Sequence, residues 1–164
     1  MKFDISKVAN ATLYMLENKV IHLNDKKLEA LLFMIDYTHQ KKHEETIFGD
    51  EYIKAKRSPE AKIMGDIFNI IANDVDLEED DERMYIITEF LEFLDIEILE
   101  KEKFTELGFV KMEEEYDKTV FTQKERNTIE AVVSKYTKET PRKMLNATFS
   151  IEAVRKAQLG EVII

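Results

Sequence analysis

Apolar residues recur at helical spacing through much of this chain, and short polar runs separate the stripes. Ile5, Val8, Ala9, Leu13, Leu16 and Val20 share one face, which predicts a first helix over residues 4–19. A second follows Asn24, with Leu28, Leu31, Leu32 and Ile35 on one side. Between residues 46 and 56 a glycine and the mixed run Tyr52-Ile53-Lys54-Ala55 predict a loop with a short extended piece. Met64, Ile67, Phe68 and Ile71 then mark a third helix, for which Ser58 and Pro59 read as N-cap and first helical position.

The acidic run 74–82 precedes the most apolar segment, residues 84–99. There Ile87, Leu91, Leu94 and Ile98 form one stripe and Tyr85, Phe90, Phe93 and Ile96 add others, the pattern of a central helix. Residues 108–112 and 118–121 alternate weakly around an acidic turn and predict a small β-hairpin. Thr122 and Glu125 have capping-box spacing ahead of Ile129, Val132, Val133 and Tyr136. Two short helices, from Thr140-Pro141 and after Ser150, complete the chain. The expected fold is mainly α, a single helical domain over residues 1–164 with about six or seven helices and a small β-hairpin.

Composition narrows the chemistry. A chain of 164 residues buries roughly 68–70% of its unfolded surface, so the core needs no covalent staple. With no cysteine, disulfides, thiolate catalysis and Cys-based zinc sites are excluded. The first residues lack the apolar run of a signal peptide and no stretch is apolar enough for a membrane span. A soluble, cytoplasmic protein is expected. The two Asn-Ala-Thr triplets at Asn10 and Asn146 match the glycosylation acceptor pattern, which has no meaning without secretion.

Lys and Arg number 24 against 34 Asp and Glu, a formal net charge of -10. Such a charge repels phosphate backbones, so nucleic acid is not expected as the main ligand, and it attracts basic partners.

Several groupings invite a chemical reading. His39 and His43 lie four apart on the second helix, where two rings share a face and a divalent ion would fit. Lys41 and Lys42 between them repel a cation, and the zinc-protease glutamate is missing. The plainer reading is two solvated histidines offsetting the partial negative charge of a helix end. The run 74–82 begins like a calcium loop but has no glycine at the sixth place, and its twelfth place is Tyr85 instead of glutamate. It reads as an acidic helix start or a contact for a basic partner. Glu89, Glu92, Asp95, Glu97 and Glu100 lack the Glu-x-x-His pair of di-metal helices. Phosphate loops, dinucleotide fingerprints and nucleophile elbows are absent, so no enzyme activity, metal or cofactor is expected. Asn10 and Tyr14 lie one turn apart, and Lys27 opens the next helix. This trio reads as a structural cluster in which Tyr14 or Asn10 meets Lys27 or Glu29.

Four stretches taken together resemble a known family. They are Ala9-Asn10-Ala11-Thr12-Leu13-Tyr14, Lys27-Leu28-Glu29-Ala30-Leu31-Leu32-Phe33, Ala55-Lys56-Arg57-Ser58-Pro59, and the tail with Leu145, Thr148-Phe149 and Glu152-Ala153-Val154-Arg155-Lys156-Ala157. Their order resembles the Panacea domain of SocA-like antitoxins. Ser58 stands where that family usually has glycine, and Phe149 and Val154 replace its usual His and Trp. The resemblance implies a protein-binding module, half of a toxin–antitoxin system, that neutralises a co-encoded toxin by direct contact. The toxin is expected to be basic, and self-association stays open.

The implied surface combines aromatic anchors with an acidic rim. The candidates are Phe48, Tyr52 and Phe149, the Ser58-Pro59 step, and Glu78 and Glu79. Two other readings stand beside it. One is a phage-associated or regulatory interaction module, such as a proteolytic adaptor, with no toxin partner. The other is a metal-dependent enzyme built on His39 and His43.

Overall fold

The computed structural model describes residues 2–164. Seven α-helices carry the fold: α1 (Ile5–Glu17), α2 (Asp25–His43), α3 (Lys62–Ala72), α4 (Glu82–Phe93), α5 (Gln123–Tyr136), α6 (Pro141–Thr148) and α7 (Glu152–Lys156). Two antiparallel hairpins accompany them. Strand β1 (Tyr52–Lys54) pairs with β2 (Pro59–Ala61), and β3 (Leu94–Glu100) pairs with β4 (Thr105–Lys111). The mainly helical class expected from periodicity is the class observed.

Local chemistry explains most helix ends. Asp4 accepts from the Lys7 N–H at 3.1 Å, and Asn24 accepts from the Lys27 N–H at 2.8 Å, each supplying an orphan donor of a first turn. Thr122 and Glu125 form both halves of the capping box, and Thr140 caps α6 with Pro141 inside its first turn.

Helix α2 runs through the interior and packs on α5, α6, α3, β2 and β4, while α1 lies against α4 and β4. From Lys27 to Asp36 every residue of α2 is buried. Phe33 sits at its centre with its ring edge-on to Tyr52, centroids 5.4 Å apart. Truncating so fully buried an aromatic costs about 3–5 kcal/mol.

Three expectations are corrected. First, Pro59 does not open α3: Pro59–Ala61 is a strand, and α3 begins at Lys62. Its cap comes from elsewhere in the chain. Asp50 accepts from the N–H groups of Ile63 at 2.9 Å and Met64 at 3.0 Å, doing at long range what a local cap would do.

Second, the apolar segment 84–99 is not one central helix. Helix α4 ends at Phe93, and the next seven residues turn into β3. Of the helix only Phe90 is buried, and Tyr85 is 64% exposed. The central position belongs to α1 and α2, whose polar residues find backbone partners inside the fold and so need not face water.

Third, β4 pairs with β3 and not with residues 118–121. Lys118–Val120 is a single 3-10 turn.

Beyond α7 the chain returns to the first hairpin. Residues 160–164 run antiparallel to β1: the Tyr52 N–H donates to the Ile164 carbonyl at 2.8 Å, and the Ile163 N–H donates to the Tyr52 carbonyl at 2.7 Å. Both edges of β1 are therefore paired.

Candidate partner-binding cleft

A cleft of about 630 Å³ opens between the start of α2, the face of α3, strand β2 and the tip of the second hairpin. Its floor is Glu29, only 6% exposed. One carboxylate oxygen, Oε1, accepts from the Ala61 N–H at 3.0 Å, and Oε2 has no hydrogen-bond partner among the described residues. The floor stays uncovered from the α3 side because position 65 is glycine. A Cβ there would sit 3.1 Å from Oε1 and 3.7 Å from Oε2.

Burial pushes the Glu29 carboxyl up to about 8. Lys26 and the Ala61 N–H pull it down, while Glu60 and Asp25 push it further up.

The second hairpin is held at the cleft by α2. The Leu107 N–H donates to Asp25 at 3.1 Å, and Asn24 donates to Glu106 at 2.8 Å. These bonds place Phe104 at the mouth, 62% exposed. A second cleft of about 650 Å³ adjoins the first, with Lys62 and Asp66 shared by both, and runs to Tyr85 and Arg83. Arg83 pairs with Asp66 at 3.2 Å and with Asp81 at 2.8 Å, and its hydrogen bonds hold the Asp81 carboxyl down at about 2. An acidic trench therefore lies between two exposed aromatic rings.

The residues singled out from sequence are scattered around the molecule. Phe48 and Tyr52 are 1% and 0% exposed and belong to the core. They cannot meet a partner at the surface, because the Phe48 N–H and the Tyr52 hydroxyl both close around Asp36, at 3.2 Å and 2.7 Å. Pro59 is also buried, in β2, while Ser58 is half-buried in the turn of the first hairpin. Phe149 is half-buried, covered by the Lys54 ammonium at 5.2 Å from its centroid. Glu78 and Glu79 are exposed in the loop before α4.

The proposed trio separates. Asn10 accepts from the Asp117 N–H at 2.9 Å, and Tyr14 meets the Tyr116 ring edge-on at 5.1 Å, so these two pin the segment before α5. Lys27 turns the other way, its ammonium donating to the Ile21 carbonyl at 2.7 Å and the Thr137 carbonyl at 3.1 Å. Burial lowers its proton affinity.

His39 is buried, not solvated. Its Nδ1 lies 2.9 Å from the Thr128 hydroxyl, which itself donates to the Lys124 carbonyl, so His39 satisfies the pair by carrying its proton on Nδ1. Its ring packs on His43 with centroids 4.6 Å apart. Among the described residues no group of three His, Cys, Asp or Glu side chains is arranged to hold a metal ion.

Sequence reasoning missed Glu29, Gly65, Phe104 and Tyr85 as cleft residues. A signal for the first was present: Glu29 stands inside the apolar run Leu28 to Phe33, on the buried face of a helix.

A family model described as antitoxin SocA-like, Panacea domain, matches residues 28–152 of the 164. The chain belongs to that family. No curated protein and no solved structure matches it. The Panacea match runs from α2 to the first residue of α7 and takes in Glu29, Ala61, Gly65, Tyr85 and Phe104. Helix α1 and the strand-like tail of this Panacea protein lie outside it.

Proposed function

We propose that this Panacea protein is an antitoxin that binds a co-encoded toxin directly and blocks it, a binding module and not an enzyme. Family membership carries the reading. Its surface agrees with that role. The net charge of -10 favours fast encounter with a basic toxin, and the exposed Tyr85 and Phe104 beside the acidic trench are the kind of anchor that dominates interfaces. The buried Asp36 and Lys27 are engaged in building the fold through their backbone and hydroxyl partners. Among the described residues no helix is long and apolar enough to cross a membrane. The proposed place of action is the cytoplasm, where a co-encoded toxin would be made.

Co-expression with the adjacent gene tests the reading. The expected result is that a neighbour that arrests growth alone becomes harmless and co-purifies with this chain. A harmless neighbour and no recovered complex would transfer the protein to the alternative class, an adaptor or regulatory module without a toxin.

A further inference from the structure

The Glu29 cleft has the form of a receptor with one contact unmade. A carboxylate buried this deeply normally has its oxygens committed to donors or to a cation. Here Oε1 has the Ala61 N–H, and Oε2, with no donor among the described residues, opens onto the cleft. Gly65 keeps the approach clear, since any side chain at that position would begin 3.1 Å from Oε1.

The charges around it point to a cation. Asp25 and Glu60 face Glu29 from α2 and β2, and Asp66, which also pairs with Arg83, lines the same cleft from α3; Lys26 and Lys62 are the opposing charges. Among the described residues the carboxylates do not converge as a metal site does. A spread of acceptors with one deeply placed oxygen suits a planar fork of five donors better than a point charge. Phe104 lines the same cleft and is largely exposed, an aromatic surface of the kind that an aliphatic stem or a guanidinium packs on.

We propose that this cleft receives an arginine side chain of the protein partner, whose guanidinium pairs with Glu29 and whose stem lies against Phe104. Only the source of that arginine rests on the antitoxin reading. The recognition chemistry is a property of the cleft.

Binding carries a proton linkage. In the free protein the buried carboxyl holds its proton at neutral pH. Pairing with a guanidinium favours the carboxylate, so capture of the arginine releases one proton from Glu29 and strengthens as pH rises toward 8.

The probe is N-acetyl-arginine amide, titrated at constant ionic strength into protein whose glutamate carboxyl carbons are labelled, with the Glu29 resonance followed by NMR across pH. The titration midpoint of Glu29 is expected to fall by about one pH unit, a tenfold loss of proton affinity. The matched citrulline derivative, neutral and of the same length, should leave it in place, and the lysine derivative should move it less. Gly65→Leu, which blocks the floor, should abolish the response. Should that variant fail to fold, Phe104→Ala serves and should weaken it. A Glu29 midpoint unmoved by the arginine probe, or moved equally by the lysine or citrulline derivative, overturns the proposal.

The cellular test is independent. With a toxic neighbour in hand, Glu29→Gln should lose neutralisation while remaining folded. Full neutralisation by Glu29→Gln would keep the antitoxin reading and overturn arginine capture as the basis of toxin binding. A harmless neighbour would remove the antitoxin reading and leave the probe titration to decide the cleft.

Discussion

Glu29 and Asp36 lie two turns apart on the same face of α2, about 10 Å along its axis, and both are buried carboxylates. Their surroundings differ completely. Asp36 accepts from the Ile47 N–H at 2.6 Å, the Phe48 N–H at 3.2 Å and the Tyr52 hydroxyl at 2.7 Å. Burial raises its carboxyl to about 6 against the pull of those three donors. Glu29 has one donor and a cleft. A buried acid with all its bonds made fixes the course of the chain, here the loop from α2 to β1. A buried acid with one oxygen open to a cleft does not fix the chain in that way and is free to take a donor from outside. Burial alone does not distinguish the two; the count of partners does.

The largest effect should come from the closed end. Asp36→Ala leaves two backbone donors and a phenol buried without an acceptor, each costing about 1–3 kcal/mol. A loss of at least about 3 kcal/mol is expected, which is a large share of the 5–15 kcal/mol of a typical domain. Urea denaturation at neutral pH measures it. A loss below about 1 kcal/mol would mean that Asp36 does not hold the loop.

The open end should respond in the opposite direction, and only at high pH. The folded state keeps the Glu29 proton up to about 8, whereas the unfolded chain releases it near 4.5. Between those values the folded state binds more protons, so stability falls as pH rises through the window. Glu29→Gln removes this dependence while keeping an acceptor for Ala61. Wild type and variant should be nearly equal below 4.5. Near pH 8 and above, the variant should be the more stable by several kcal/mol, as each pH unit corresponds to about 1.4 kcal/mol. Denaturant midpoints at the two ends of the window decide it. Asp36 contributes a drop of the same sign between 3.8 and about 6, but it is present in both proteins and cancels in the difference.

These two residues also mark what was legible in the sequence. Wherever a helix is capped within three residues of its start, as at Asn24, Thr122 and Thr140, its beginning could be read from the chain itself. Where the cap comes from afar, it could not. Asp50 closes α3 from twelve residues before the helix begins, so the nearer Ser58-Pro59 pair looked like the cap. The second hairpin left a signal that the strong apolar content hid. Leu94, Ile96 and Ile98 alternate with Asp95 and Glu97, a period of two inside what reads as a long helix. The candidate site was less visible than the fold because it depends on tertiary juxtaposition. Glu29, Ala61, Gly65 and Phe104 come from four elements, and no spacing along the chain brings them together.

A smaller effect separates the remote cap from the local ones. Asp50→Ala should destabilise by about 1–2 kcal/mol and fray the first turn of α3, which forms one wall of the cleft. Thr122→Ala should cost about 1 kcal/mol and leave the cleft untouched, since α5 takes no part in it. Hydrogen exchange at Ile63 and Met64 distinguishes them: faster exchange there is expected in the Asp50 variant alone. Equal protection in both would show that α3 does not depend on Asp50.

The smallest effect on stability should fall on the exposed acidic loop. Glu78 and Glu79 are exposed and make no ion pair among the described residues, so Glu78→Lys with Glu79→Lys should change stability by no more than about 0.5 kcal/mol. Its consequence belongs to encounter. Charges at the edge of a binding surface act mainly on association rate and are screened by salt, whereas a desolvated contact acts on dissociation. The double reversal should therefore slow association with a basic toxin at low salt and lose that effect at high salt. Glu29→Gln should raise the dissociation rate at either salt. Stopped-flow binding at two ionic strengths separates the contributions. Equal, salt-independent effects from both variants would erase the distinction between steering by the surface and capture by the cleft.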